Sequence, residues 1–292
     1  MRLGILVEAE EGLDWEGWRA TYSAAERLGF DSVWLSDHLE SPWTAGRHGL
    51  ETWTALAVAL AETSRITLGS LVSPITFREP SIVARMAETL SALGPGRLVV
   101  GLGLGWNAAE HEAAGIAFPS VAERTRRLVD GIERIRPVLA SWRIPLLIGG
   151  AGQRSTLPVV ARYAEEWNMT TGSPFDYEVS SDQLDTLCRE IGRNPREVRR
   201  SVATGVLIGR DAHDLDARAE RMRACVPPLA EADRALDAAR EMGWLVGTPP
   251  TLLASLRAFE EAGLERVVLG HYDVANVDTL AVLAETVLPS LT

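Results

Sequence analysis

Short β-branched apolar runs alternate along the chain with longer stretches in which apolar residues recur every three or four positions. These are the periods of buried strands and amphipathic helices. Leu3–Val7 reads as a first strand and Trp15–Leu28 as the helix after it, closed by Gly29. Strands at Ser32–Leu35, Ile66–Val72 and Leu98–Leu102 follow, with helices at Trp53–Glu62, Pro80–Leu93 and Ala122–Leu139. Pro80 stands at the first helical turn, where proline is tolerated, and Gly94 just past the end. Ile144–Ile148 with Ser155–Ala164, and Trp167–Thr170 with Tyr177–Ile191, make a fifth and a sixth unit. A seventh strand, Ser201–Ile208, is followed by two extra helical stretches, Ala212–Ala224 and Leu229–Met242. The repeat helix then opens at Thr248-Pro249, and Arg266–Leu269 with Val277–Leu288 complete an eighth unit.

Nearly continuous apolar strands describe a parallel sheet covered on both faces. An open doubly wound sheet is the rival architecture. Eight regular repeats, and no Gly-rich phosphate turn after the first strand, favour a closed α/β (β/α)8 barrel, the TIM barrel. No Ser/Gly-rich linker divides the chain, so residues 1–292 read as one domain. Residues 211–242 read as a helical insertion after the seventh strand, placed to cover a site or to meet another subunit.

The charge balance narrows the partners. Lys plus Arg number 29 against 40 Asp plus Glu, a formal charge of −11, which disfavours nucleic acid and anionic membranes. Cys188 and Cys225 lack metal-ligand spacing, fall within predicted helices and read as inert thiols. The first apolar run ends at Glu8, too short for an export signal, and no window is long enough for a membrane span. A cytoplasmic location is expected.

In a barrel, chemistry belongs at the C-terminal ends of the strands. Polar and glycine-rich residues gather there: Ser36-Asp37-His38, Val72-Ser73-Pro74 leading into Phe77-Arg78, Gly103-Leu104-Gly105-Trp106-Asn107, and Gly149-Gly150-Ala151-Gly152-Gln153-Arg154. Strand six ends in Asn168-Met169-Thr170-Thr171-Gly172 and strand eight in His271-Tyr272. GGAGQR is the anion candidate: its glycines allow close approach of backbone amides, a helix begins there, and Arg154 can add a bidentate contact. Asp37-His38 sets a carboxylate beside an imidazole able to move protons near neutrality, although neighbours at a strand end point to different sides. GLGLGWN fails as a dinucleotide fingerprint and reads instead as a glycine-lined strand end against a flat ring. His48, His111 and His213 read as surface residues, and His271 as either a pocket or a structural residue. No metal site, zincin motif or nucleophile elbow is present, which leaves cofactor-borne hydride chemistry.

The stretches AAERLGFDSVWLSDHL, ETWTALAVALAETSRITLGSLVSPITFREP, GRLVVGLGLGWNAAEHEAAGIAFP, IPLLIGGAGQRSTLPVVARYAEEWN and GTPPTLLASLRAFEEAGLERVVLG resemble the luciferase-like monooxygenase superfamily in its own order. The resemblance is strongest to its coenzyme F420-dependent oxidoreductases. It implies a cofactor ring across the barrel mouth, Asp37 and His38 beside it, and His38 as the proton handler. It also implies a bulge at Leu71-Val72-Ser73 with a cis peptide at Leu71–Val72, Gly103 and Asn107 against the cofactor, and Gly149 to Arg154 at the phosphate. Trp43, Trp106 and His271 fall on the substrate side, Trp106 standing where sugar-phosphate relatives carry a catalytic glutamate. Relatives are often dimers, so a homodimer is expected. The connection from Leu139 to Ile144 is shorter than in relatives and implies a more open mouth.

The expected function is hydride transfer between F420 and a small organic substrate. The alternatives are an oxygen-activating FMN monooxygenase and a non-catalytic flavin-binding protein.

Overall fold

The ring closes through one strand that pairs on both sides. In the computed structural model, which describes residues 1–291, the chain runs β1 (Arg2–Val7), α1 (Trp15–Leu28), β2 (Ser32–Leu35), α2 (Thr52–Glu62), β3 (Thr67–Ser70) and β4 (Ser73–Pro74). There follow α3 (Pro80–Leu93), β5 (Leu98–Gly103), α4 (Ala108–Ala113), α5 (Val121–Trp142), β6 (Leu146–Gly149), α6 (Leu157–Tyr163) and β7 (Glu166–Thr170). Then come α7 (Pro174–Glu190), β8 (Arg199–Ile208), α8 (Ala212–Met222), α9 (Pro227–Glu231), α10 (Ala235–Glu241) and β9 (Leu245–Gly247). The described elements end with α11 (Pro249–Glu261), β10 (Arg266–Gly270) and α12 (Asp278–Thr286). β10 is parallel to β1, with Val268 opposite Gly4, and to β8, with Val268 opposite Ala203. Every other neighbour in the ring is also parallel, so the expected (β/α)8 barrel is the fold.

Local chemistry sets the element ends. Asp14 caps α1 by accepting the Gly17 N–H at 2.8 Å, and Gly29 closes it at φ 88°. Apolar side chains on the outer face of the ring pack under the helices, while Leu6, Trp34, Val99, Leu147, Ala203 and Val268 fill the interior. Below them, at the N-terminal ends of the strands, Arg266 is 2% exposed and bonds Glu166 and Asp31. The barrel is therefore plugged below and open only above.

Four details differ from expectation. The third strand stops at Ser70, the Leu71–Val72 peptide that follows is cis, and pairing resumes at Ser73–Pro74 against Leu102 and Gly103. The Asn107 side chain caps a short helix, α4, in a segment read as loop. The insertion after β8 forms three helices, because Pro227 and Pro228 start a new one, and Cys225 lies in the turn before them. Finally, the tight passage from α5 to β6 joins a helix to the start of a strand, on the plugged side of the barrel. Its shortness therefore does not open the mouth.

Candidate active site

The open end holds a cavity of about 730 Å³. Its floor and walls take in Leu6, Ala203, Asn168, Leu71, Val72 and Gly103 from the barrel, with His38, Trp43, Trp106 and Gly149 to Gly152 around them. The loops after β2, after β5 and after β6 thus converge as the sequence implies.

The bulge after β3 is held from behind. Asp37 is 2% exposed and does not line the cavity. It accepts from Arg78 Nη1 at 2.6 Å, Arg78 Nη2 at 3.1 Å, Trp53 Nε1 at 3.3 Å and the Ser73 hydroxyl. Asp37 and Ser73 therefore tie the end of β2 to the bulge, and Val72 projects into the barrel. The glycines opposite make room for it: a Cβ at Gly103 would stand 2.6 Å from a Val72 methyl, and one at Gly149 2.8 Å. They accommodate a side chain of this chain.

His38 lines the cavity with a side chain 15% exposed. Its Nδ1 lies 3.0 Å from both oxygens of Glu110, a buried residue of α4 that the sequence reading passed over. Trp106, 64% exposed, stands edge-on to the ring at 5.5 Å. Glu8 and Glu10 also line the cavity, Glu10 accepting from the Ser36 hydroxyl. Burial, then the neighbouring Glu10, pushes Glu8 up to about 8. The signal for Glu8 was available: inward positions alternate along a strand, and Leu6 points inward.

The turn after β6 lies open to the cavity at Gly150, Ala151 and Gly152. Gly150 adopts φ 119°, and its N–H reaches the Asn168 carbonyl at 2.8 Å. The N–H groups of Ala151, Gly152, Gln153 and Arg154 have no acceptor among the described residues. α6 begins only at Leu157, after a turn, and Gln153 and Arg154 are exposed outside the cavity lining. Thr156, not singled out from the sequence, lines it instead. A cradle with uncommitted N–H donors and a hydroxyl fits a phosphate.

Three expected positions are placed elsewhere. Asn107 caps α4 through Ala109 N–H at 3.1 Å and Glu110 N–H at 3.4 Å, away from the cavity lining. His111 is fully buried, contrary to its reading as a surface residue, because α4 turns it between Phe77 and Phe118. His271 is 3% exposed behind the wall, where burial pushes it down to about 4 and its Nε2 has no partner. Beside it Tyr272 stacks on Trp244 at 4.8 Å and meets Trp43 at 5.8 Å. The insertion's apolar core packs against these two rings, so the insertion buttresses the cavity wall and adds no residue to the lining.

The chain belongs to the luciferase-like monooxygenase family, whose model matches residues 1–266. It is 42% identical over 125 residues to an F420-dependent glucose-6-phosphate dehydrogenase of Intrasporangium calvum, covering 41% of this chain and 37% of that protein. Its match to the Microbacterium testaceum protein of the same name is 33% identical over 55% of this chain and 53% of the relative. The Amycolatopsis mediterranei counterpart aligns over 91% of this chain and 92% of its own at 28% identity. Among solved structures, an F420-dependent secondary alcohol dehydrogenase in complex with an F420-acetone adduct superposes with a TM-score of 0.83 at 20% identity, covering 100% of this chain and 99% of its own. A long-chain alkane monooxygenase superposes with a TM-score of 0.80 at 14% identity, over 100% and 91% of the two chains. These structural likenesses establish the shared barrel.

Proposed function

We propose that this chain is an oxidoreductase that moves a hydride between coenzyme F420 and a small organic substrate. One observation carries the reading: His38, the Leu71–Val72 bulge and the Gly150–Gly152 turn open on a single cavity. The curated relatives with F420-dependent names support the cofactor. The deazaflavin, when bound, supplies the hydride donor or acceptor. Leu71 and Val72 back its ring, with Gly103 and Gly149 leaving space, while the free amides from Ala151 to Arg154 and the Thr156 hydroxyl hold the phosphate. Asp37 and Ser73 keep the bulge in place. His38 handles the proton, and Trp43 and Trp106 bound the substrate side. Residues 1–292 act in this reading as one cytoplasmic unit.

A structural neighbour solved with a modified FMN, and another named as a monooxygenase, favour an FMN monooxygenase as the second reading. Titrating the protein with each cofactor and following quenching and absorbance separates the two. F420 binding followed by bleaching of its oxidised band with substrate is the expected result. Tight FMN binding with no F420 binding would reverse the order, and retention of either without turnover would leave a binding protein.

A further inference from the structure

Glu110 does more than lie near His38. It projects from α4, whose start is fixed by the Asn107 cap and whose His111 ring bonds the Asn107 carbonyl at 2.6 Å and the Thr76 hydroxyl at 2.7 Å. The Leu39 N–H also donates to Glu110 Oε2, at 3.1 Å, so the carboxylate is bound to both the ring and the backbone that carries it. An ionised carboxylate offers only lone pairs, so His38 Nδ1 must carry a proton. No described residue takes Nε2.

Acidic side chains predominate around this ring. Glu8, Glu10 and Glu11 approach from the segment after β1, and Glu110 from α4. Arg47, on the same loop as His38, is tied to Glu11, and Arg78 is tied to Asp37 and Glu51. We infer that Glu110 is the positioning residue for His38 and, with Glu10, keeps both ring nitrogens protonated, so that His38 donates a proton and the site is built to reduce a carbonyl substrate. This rests on the hydride-transfer reading. Burial works against the imidazolium, but the Glu110 hydrogen bond and the charges of Glu10 and Glu110 outweigh it and push His38 up to about 9.

Reduced F420, when bound, would supply the hydride for the carbonyl carbon and give up two electrons. His38 Nε2 would protonate the oxygen that takes the C=O π pair, and the neutral ring would regain its proton from solvent. Oxidation of an alcohol needs the opposite state, a ring nitrogen free to accept.

The ring can be read without any cofactor. In NMR titrations of the unliganded protein, His38 is expected to titrate well above the ordinary imidazole value of about 6.5. Glu110→Gln should bring it down by about 1–2 pH units, with Glu110→Asp restoring part of the shift. With reduced F420 and a ketone, the wild-type rate should hold through neutrality and fall as pH rises through the His38 titration. Glu110→Gln should lower kcat about 10–100-fold at nearly constant KM and move that fall to lower pH. A His38 ring that titrates at or below about 6.5 overturns the inference, as does alcohol oxidation at pH 7 that outruns ketone reduction. Failure to bind F420 would refute the proposed function and leave the ring titration to decide the protonation state.

Discussion

Glu8 and His38 each bind a proton more tightly in the folded chain than in the unfolded one, and the signs of their effects on stability agree. For Glu8, raised from 4.5 to about 8, the stabilising contribution is complete below 4.5 and lost as pH rises through 8. For His38, raised from 6.5 to about 9, it is complete below 6.5 and lost as pH rises through 9. The melting temperature should therefore fall steadily between pH 6.5 and 9, and Glu8→Gln should flatten the lower part of that slope. Calorimetry across the window decides it: a melting temperature that holds or climbs means that neither group keeps its proton in the fold. On the catalytic side, His38→Ala should slow reduction about 10²–10⁴-fold while F420 affinity stays within a few-fold. Unchanged turnover would remove His38 from proton transfer.

At the scale of elements, the turn between β6 and α6 offers the sharpest test. A Cβ at Gly152 would stand 2.3 Å from Ser155 Oγ and 3.2 Å from Thr156 Oγ1, so any side chain there crowds the Thr156 hydroxyl that lines the cradle. Gly152→Leu should abolish F420 binding with the barrel still folded by circular dichroism, and retained affinity would place the phosphate elsewhere. The turn was legible because glycine clusters between a strand and a helix have few other uses. The strands and repeat helices were legible for a similar reason, each burying a face whose period shows in the sequence. α4 was not, since six residues are too few to display a helical period. Without α4, His111 reads as exposed and Glu110 has no visible reason to reach His38, 72 residues away in sequence. Asp37 was read for its adjacency to His38, but successive strand residues face opposite sides, and its partners are Arg78, Trp53 and Ser73.

Taken whole, the barrel divides its labour between its two ends. The cavity end accumulates features that oppose stability: a cluster of carboxylates and uncommitted amides. The closed end carries the opposite arrangement, in which Arg266 joins strands far apart in sequence by bonding Glu166 at 2.5 Å and Asp31 at 2.8 Å, with its guanidinium 5.6 Å from the Trp34 ring. A buried ion pair adds little over a well-packed apolar substitute, but removing Arg266 leaves the buried Glu166 with only the partly exposed Arg199, whose Nη1 lies 3.2 Å away. Arg266→Met should thus lower stability by about 3–5 kcal/mol, and adding Glu166→Leu should return much of that loss. Because this network is separated from the cavity by the packed layer of Leu147 and Val268, both variants that fold should bind F420 with wild-type affinity. Urea denaturation and cofactor titration on the same samples test the two halves of the argument. A single variant that loses cofactor affinity in proportion to its stability would show that the two ends are coupled through the barrel interior.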